Sequence, residues 1–183
     1  MIIFFGRSNP VKDKNYYLLF DKMISIVIPI YNEEAIIEEL FNRTIQALAS
    51  FTNDFEIICV NDGSKDQSEA KLTAAHNKDK RFKIISLSRN FGHQAAILAG
   101  LSYTKGDYIG IMDGDLQDPP ELFQKFLEKI KQGYDVIYAV RTKRKESFLK
   151  KAVYWLYYRL LTNISECNIP PDSGDFSMVT RKV

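Results

Sequence analysis

Five short apolar runs, separated by segments with helical patterns, constrain the fold of this chain most. The runs lie at 24–30, 55–60, 82–87, 107–112 and 135–140. Short, continuous and β-branched runs of this kind are typical of parallel strands that are buried on both faces. Strand–helix alternation at this spacing predicts an α/β fold with an open, mostly parallel central sheet, flanked by helices and joined by right-handed crossovers.

Four helices are expected between the strands. They cover about 33–50, a segment that begins near 66, 93–104 and 121–132. Asn32 is predicted to cap the first helix, and the spacing from Asp66 to Glu69 resembles a capping box for the second. Pro120 suits the first turn of the fourth helix, and Gly133 is its expected terminator.

The composition fits one soluble globular domain. The chain has 183 residues, 45% of them hydrophobic and 26% charged, and a formal charge of +2 that gives no sign of a nucleic-acid partner. Cys59 lies in an apolar run, where we expect it to be a core residue, and neither cysteine shows a disulfide or metal-binding spacing. No signal peptide or membrane span is predicted, so we expect a cytoplasmic protein.

Two regions are expected. Residues 1–22 show no comparable pattern and are assigned to an N-terminal extension of unknown role, whereas residues 23–183 form the α/β domain. The polar, glycine-containing motifs PIYNEE, VNDGSKD, LSRNFG and MDGDLQD follow the first four strands. Because open α/β sheets bind ligands beyond the carboxyl ends of their strands, these motifs predict a binding site at one edge of the sheet.

The stretch DGDLQDPPE, residues 113–121, places four acidic side chains within nine residues. Asp113 and Asp115 flank a glycine and can direct two carboxylates toward one ligand, and Gln117 adds a neutral oxygen. Hard oxygen ligands suit Mg²⁺ or Mn²⁺. The alternative is an acidic turn before a helix, and we assign Asp118 and Glu121 to that structural role.

The other three motifs allow both a ligand-binding and a structural interpretation. Asp62 can accept hydrogen bonds from a base or ribose, Tyr31 offers a flat surface beside a base, and Glu33 is a further acceptor. Arg89 suits a phosphate group near a helix start. Turn formation and helix capping explain the same residues. His93, in the first turn of a predicted helix, allows a role as a proton carrier, but a lone histidine there is more often a surface or packing residue, and that is the interpretation we favour.

Together the ordered motifs IPIYNEE, VNDGSKD, SRNFGHQAAILAG and DGDLQDPPE resemble the inverting GT-A glycosyltransferases related to dolichol-phosphate mannose synthase. The similarity is greatest to the bacterial polyprenyl-phosphate (bactoprenol) glycosyltransferases and extends from about residue 23 to 183. It implies a UDP- or GDP-linked nucleotide-sugar donor, a divalent Mg²⁺ or Mn²⁺ ion, and a polyprenyl phosphate acceptor at the cytoplasmic face of the membrane.

The resemblance also implies roles for single residues. Arg141 matches an arginine near the phosphates, and the element SGDFSMVTRKV places Asp175 at the position of the active-site aspartate. Nucleoside-binding positions are matched by Pro29, Tyr31, Glu33 and Asp62. Asp113 matches the first aspartate of the Asp-x-Asp element, and Asp115 and Gln117 match its metal-binding positions.

Two departures from the family pattern leave alternatives open. Ser177 stands where the family usually has arginine, and relatives usually continue through a longer catalytic domain, so we expect a C-terminally truncated domain. An inactive nucleotide-binding fragment is therefore one alternative. A soluble enzyme that glycosylates a saccharide hydroxyl is another, with Asp175 as its best candidate base.

The segment from Arg141 to Arg159 bears on the acceptor. It contains seven lysines and arginines but only one glutamate, and aromatic residues occur among them. It suits either a solvated loop before a core-packing helix or a helix that lies peripherally on an anionic membrane surface, and the resemblance favours the membrane.

Overall fold

A computed structural model describes residues 2–4, 22–140 and 173–183. The strands in these ranges are β1 Ile2–Phe4, β2 Ile24–Ile30, β3 Phe55–Asn61, β4 Phe82–Ser86, β5 Tyr108–Ile111, β6 Val136–Val140 and β7 Ser173–Thr180. The helices are α1 Ile37–Ala49, α2 Ser68–Lys78, α3 His93–Tyr103 and α4 Leu122–Lys131. The five predicted strands and the four predicted helices are all confirmed.

The described strands form one sheet in the order β1-β6-β7-β5-β2-β3-β4. The β2–β3, β2–β5 and β3–β4 pairs are parallel, as predicted. β7 was not predicted as a strand. It lies between β5 and β6 and is antiparallel to both, while β1 pairs antiparallel with β6 at the edge. Of the seven described strands, β2 to β6 therefore run in one direction, whereas β1 and β7 run in the opposite direction. In this sense the sheet is mostly parallel.

Alternate residues of the strands face two different layers of helix. In β2, Ile26 and Ile28 belong to the larger core cluster, to which α1, α2 and α4 contribute, whereas Val27 packs with Ala96 of α3 on the opposite face. Cys59 is completely buried in the larger cluster, which confirms its prediction as a core residue. Two-sided burial explains why the strands are apolar at successive positions.

The first helix begins later than predicted, and Asn32 does not cap it. Asn32 adopts a left-handed conformation with φ of 56°, and α1 begins at Ile37. The side chain of Asn32 instead accepts a hydrogen bond from the N–H of Lys65 at 2.8 Å, and its own N–H donates to Ser64 Oγ at 3.0 Å. The residue therefore links the first motif to the second.

The predicted capping box of α2 does not form, and Gln67 is the N-cap residue. Asp66 Oδ1 accepts a hydrogen bond from the N–H of Ser68 at 2.9 Å. The carboxylate of Glu69 does not return to the turn, since it accepts a hydrogen bond from the hydroxyl of Ser86 at 3.0 Å. A contact with a neighbouring strand has replaced the local one.

Helix α4 begins at Leu122, one residue later than predicted. Glu121 is the N-cap residue, and its carboxylate accepts two hydrogen bonds from the guanidinium of Arg43, at 2.7 and 3.0 Å. Asp118 is buried in the preceding loop. Gly133 follows the helix with φ of 92°, as expected of a terminator.

Candidate active site

The motifs that follow β2, β3, β4 and β5 meet at one edge of the sheet, around a cavity of about 280 Å³. Parallel strands carry their carboxyl ends to the same edge, which explains why motifs distant in sequence converge. Six of the predicted site residues line this cavity: Pro29, Tyr31, Glu33, Asp62, Asp113 and Asp115.

The other four predicted residues are placed differently. Arg89 is exposed, with its guanidinium 4.7 Å from the centroid of the Phe91 ring, and it is not among the described residues of the cavity wall. Gln117 is also exposed and outside that wall. Asp175 contacts the lining residue His93. Arg141 lies outside the described residues.

Asp62 anchors the loop that precedes α3. Its Oδ1 accepts a hydrogen bond from the N–H of Phe91 at 2.7 Å, and its Oδ2 accepts one from the N–H of Gly92 at 3.0 Å. The residue is only 3% exposed. Gly63 completes the contact, because a Cβ there would lie 2.4 Å from the carbonyl carbon of Arg89. Each carboxylate oxygen of Asp62 keeps a second lone pair, which leaves the predicted nucleoside contact chemically available.

The first motif supplies a partly exposed ring and a carboxylate. Tyr31 is 41% exposed, so one face of its ring is accessible from the cavity side. Glu33 is fixed through its backbone N–H, which donates to Ser68 Oγ at 2.9 Å. Burial, followed by the negative charges of Asp115 and Asp66, raises the pKa of Glu33.

The Asp-x-Asp turn is held against β2. A Cβ on Gly114 would lie 2.5 Å from Cδ1 of Ile30 and 3.1 Å from the carbonyl oxygen of Pro29, so the turn packs closely against this strand. The left-handed conformation of this turn falls on Leu116 instead, with φ of 58°. Asp115 Oδ1 accepts a hydrogen bond from the backbone N–H of Gln117 at 3.0 Å. That bond orients the Asp115 carboxylate at the cavity wall.

Asp113 has a buried oxygen that accepts no hydrogen bond from the described residues. This atom, Oδ1, lies 3.6 Å from Nε2 of His93. Burial raises the pKa of Asp113. The neighbouring His93 opposes that rise, and the nearby carboxylates of Asp115, Asp118 and Asp175 add to it. A buried oxygen that accepts no hydrogen bond is suited to contact a cation or a hydrogen-bond donor of a ligand.

Strand β7 brings Asp175 beside Asp113. Ser177 pairs with Ile111 across the antiparallel β5–β7 ladder, and the same register continued by two residues sets Asp175 opposite Asp113. The β6–β7 ladder has an irregularity at this point, and bulges of that kind commonly redirect a side chain. One ligand atom each of His93, Asp113 and Asp175 lie within 4.8 Å of one another.

The described wall of the cavity is acidic. Glu33, Asp62, Asp113 and Asp115 contribute carboxylates, and no lysine or arginine is among the described lining residues. An anionic ligand would need a cation to offset this charge. The carboxylate oxygens of Asp113 and Asp115 are the hard donors that Mg²⁺ and Mn²⁺ prefer, and the unbonded Oδ1 of Asp113 fits such a role.

Sequence reasoning missed two residues of this site, Asn90 and His93. Both line the cavity, and Nε2 of His93 lies 2.8 Å from Oδ2 of Asp175. The position of the motif LSRNFG after β4 was a usable signal, because it places both residues at the correct edge. The partner of His93 is 82 residues away in the chain, and local spacing carries no information about it.

Comparison with known proteins identifies a family. The model of glycosyl transferase family 2 matches residues 25–183. Over 160 residues the chain is 50% identical to the uncharacterized glycosyltransferase YkcC of Bacillus subtilis (strain 168), covering 87% of this chain and 50% of that protein. It is 40% identical over 141 residues to the undecaprenyl-phosphate 4-deoxy-4-formamido-L-arabinose transferase of Klebsiella pneumoniae (strain 342), covering 76% and 43%.

Solved structures share the fold. Glucosyl-3-phosphoglycerate synthase from Mycobacterium tuberculosis, in complex with Mn²⁺, uridine diphosphate and phosphoglyceric acid, superposes with a TM-score of 0.63 at 22% identity, covering 88% of this chain and 57% of that one. The mannosyltransferase PcManGT from Pyrobaculum calidifontis, in complex with GDP-Man and Mn²⁺, gives 0.60 at 17% identity, covering 88% and 45%. The GT-A fold predicted from the sequence is confirmed. The chain spans about half the length of the curated relatives it matches.

Proposed function

The chain belongs to glycosyl transferase family 2, and on that premise we propose that it transfers a sugar from a nucleotide-sugar donor to a polyprenyl phosphate, with inversion at the anomeric carbon. The observation that carries this proposal is the convergence of Tyr31, Asp62 and the Asp113–Asp115 turn on one acidic cavity, with Asp175 at its side. This arrangement suits a donor that carries a base, a diphosphate and a metal ion.

In this proposal the donor binds across the strand ends. Pro29, Tyr31, Glu33 and Asp62 contact the nucleoside. Asp115 and Asp113 would hold Mg²⁺ or Mn²⁺, and Gln117 remains a predicted ligand although it is exposed. When bound there, the ion would supply positive charge to offset the charge on the departing diphosphate. We retain the prediction that Arg89 and Arg141 bind phosphate groups.

The transfer itself exchanges one bond to the anomeric carbon for another. An acceptor oxygen attacks that carbon from the face opposite the diphosphate. The bond from carbon to the diphosphate oxygen breaks, and its electron pair leaves with the nucleoside diphosphate. A fully ionised phosphate acceptor has no proton to lose, because the second pKa of a phosphate monoester is about 6.

Two observations support a lipid-linked acceptor. Relatives 40–44% identical to this chain are transferases that use undecaprenyl phosphate. The outward side of α3 carries Leu98 and Tyr103, each 64% exposed, and no Asp, Glu, Lys or Arg occurs in His93–Tyr103. The basic segment 141–159, which also suggested a membrane surface, lies outside the described residues.

Among the described helices, none has the length and apolar character needed to cross a bilayer.

A saccharide hydroxyl is the second candidate acceptor. The hydrogen bond between His93 and Asp175 favours it, because a carboxylate held by a third group is the usual arrangement of a general base. A hydroxyl acceptor would depend on Asp175 at every pH, whereas a phosphate acceptor would depend on it less as the phosphate ionises.

Ligand binding followed by transfer tests the proposed function. Thermal unfolding is measured with UDP-glucose, UDP-N-acetylglucosamine and GDP-mannose, each with and without Mn²⁺ or Mg²⁺. A ligand at a hundred times its Kd stabilises the fold by about 2.7 kcal/mol, or roughly 5–10 °C in a domain of this size. Sugar transfer is then assayed with undecaprenyl phosphate and with saccharides.

Asp115→Asn is expected to abolish the metal-dependent part of the stabilisation. Asp54→Asn, at the exposed turn before β3, is the matched control and should retain it. Nucleotide binding without transfer to any acceptor would support the inactive-fragment alternative and would overturn the proposed function.

A further inference from the structure

Asp175 is held by side chains from α3. Nε2 of His93 lies 2.8 Å from Oδ2 of Asp175, and Nε2 of Gln94 donates to the same oxygen over 3.4 Å. Both contacts use Oδ2, so Oδ1 remains available for a ligand. The side chain of Asp175 is 43% exposed, and an aspartate this exposed would sample several rotamers without such contacts.

His93 is itself fixed by the turn after β3. The residue before it, Gly92, donates its N–H to Asp62 at 3.0 Å, and Phe91 donates to the same carboxylate at 2.7 Å. Gly63 packs directly against the backbone of the loop before α3. The imidazole therefore projects from a rigid support, which is what precise orientation of a reacting group requires.

A hydroxyl acceptor gives Asp175 a task. A hydroxyl keeps its proton at all working pH values, so the attacking oxygen carries a proton that must be removed. A phosphate acceptor attacks through an oxygen that is already ionised and does not need a base.

We propose that His93 is a positioning residue that aims the Asp175 carboxylate at a hydroxyl acceptor, an inference that rests on the second candidate acceptor of the proposed function. Asp175 Oδ1 takes the acceptor proton while the acceptor oxygen bonds to the anomeric carbon. The bond to the diphosphate breaks, and its electron pair leaves with the nucleoside diphosphate. His93 does not contact the reacting atoms. It keeps Oδ2 hydrogen-bonded throughout the step.

The tautomer of His93 is a direct consequence. An ionised carboxylate only accepts hydrogen bonds, so neutral His93 must carry its proton on Nε2. His76, the other histidine of the chain, has Nδ1 2.6 Å from the carbonyl oxygen of Phe82 and must carry its proton on Nδ1. The two histidines are therefore expected to be opposite tautomers.

Nitrogen-15 NMR of the 183-residue chain near pH 8.5 tests this placement without any substrate. His76→Gln and His93→Gln assign the two imidazole signals. We expect the Nε2–H form for His93 and a change in its nitrogen shifts in Asp175→Asn, with His76 unaffected. An Nδ1–H form for His93, or shifts unchanged by Asp175→Asn, would overturn the inference.

Steady-state kinetics with a saccharide acceptor test the functional part. His93→Ala should lower kcat about 100-fold, within the range for loss of general-base assistance, with little change in the KM for the nucleotide sugar. His93→Gln, which retains a donor, should recover part of the rate. In the Asp175→Asn variant, the further substitution His93→Ala should lower kcat very little, because both substitutions act on the same carboxylate.

The outcomes separate the two proposals. Absence of transfer by the unsubstituted chain to lipid phosphate and to saccharides overturns the proposed function, and the inference with it. Transfer to lipid phosphate but to no saccharide overturns the inference alone. An active chain in which His93→Ala leaves kcat unchanged, or in which the two substitutions are additive, overturns the inference alone.

Discussion

At the scale of single residues, one buried carboxylate with three hydrogen-bond donors lies away from the candidate site. Glu56 of β3 is 1% exposed and accepts hydrogen bonds from the Ser25 hydroxyl at 2.6 Å, the Lys105 N–H at 2.8 Å and the Lys83 ammonium. Burial alone would raise the pKa of Glu56, but the hydrogen bonds from Lys83, Ser25 and Lys105 lower it overall. These contacts tie β2, β3 and β4 to the segment after α3.

Glu56→Gln is expected to lower the free energy of unfolding by about 2–3 kcal/mol at neutral pH, since it leaves donors without their charged acceptor. Because folding lowers the pKa of Glu56, its stabilisation is present above the ordinary value of 4.5 and is lost as pH falls through the folded value. Urea unfolding between pH 7 and pH 3 should therefore show the difference between the two proteins shrinking below about pH 4.5.

The matched control is Glu121→Gln. Glu121 pairs with Arg43 at 2.7 Å, but their side chains are 53% and 37% exposed. Such a pair contributes about 0–1 kcal/mol. A loss for Glu121→Gln as large as that for Glu56→Gln would show that burial does not set the difference.

At the scale of elements, the start of α3 depends on a turn that belongs to another motif. Gly63 has φ of +66°, and a Cβ there would lie 2.4 Å from the carbonyl carbon of Arg89 and 2.6 Å from the nitrogen of Asn90. Asp62 holds the same loop by its carboxylate. The Asp62 side and the His93 side of the cavity are thereby joined.

Gly63→Ala should displace the loop before α3 as well as strain the turn. We expect it to cost about 1–3 kcal/mol more than Gly133→Ala, and to weaken nucleotide binding. Gly133 is the control because its φ is +92° and nothing lies within 4 Å of a Cβ built there, so only the conformational cost of about 1–2 kcal/mol applies. Denaturant unfolding and donor titration measure both effects; equal losses for the two variants would contradict the steric argument.

At the scale of the whole molecule, the two faces of the sheet are covered unequally by the described helices. The face that holds Ile26 and Ile28 packs against α1, α2 and α4, whereas the face that holds Val27 packs against α3. The outward side of α3 extends from the candidate site and exposes Leu98 and Tyr103. A helix surface that exposes two large hydrophobic side chains and carries no Asp, Glu, Lys or Arg is consistent with the proposed lipid-linked acceptor.

Flotation with liposomes that contain anionic lipid tests whether the outward side of α3 contacts a membrane. If α3 meets the membrane, the double change Leu98→Glu and Tyr103→Glu should lower the bound fraction at least tenfold, since burying one such side chain contributes about 1.5–3 kcal/mol. Gln46→Glu, at an exposed position of α1 on the other side of the sheet, should change binding little. Equal binding by all three proteins would exclude α3 as the contact, and no binding by any of them would count against a lipid acceptor.

The sequence by itself determined the strands of the parallel half, the four helices, and the edge where the polar motifs meet. These features follow from local periodicity and turn chemistry, and the rule for parallel sheets converts them into a common site without long-range information. The cavity lined by Tyr31, Asp62, Asp113 and Asp115 was predictable for that reason.

Only the tertiary structure decided how those residues are held. The insertion of β7 between β5 and β6, the anchoring of the Phe91–Gly92 backbone by Asp62, and the contact of His93 with Asp175 all join distant segments. Asn32 and Glu69 were predicted to take part in helix capping, but their side chains form hydrogen bonds with distant segments instead. Local spacing alone cannot distinguish a nearby hydrogen-bond partner from a distant one, because the packing of the sheet determines which of the two a side chain reaches.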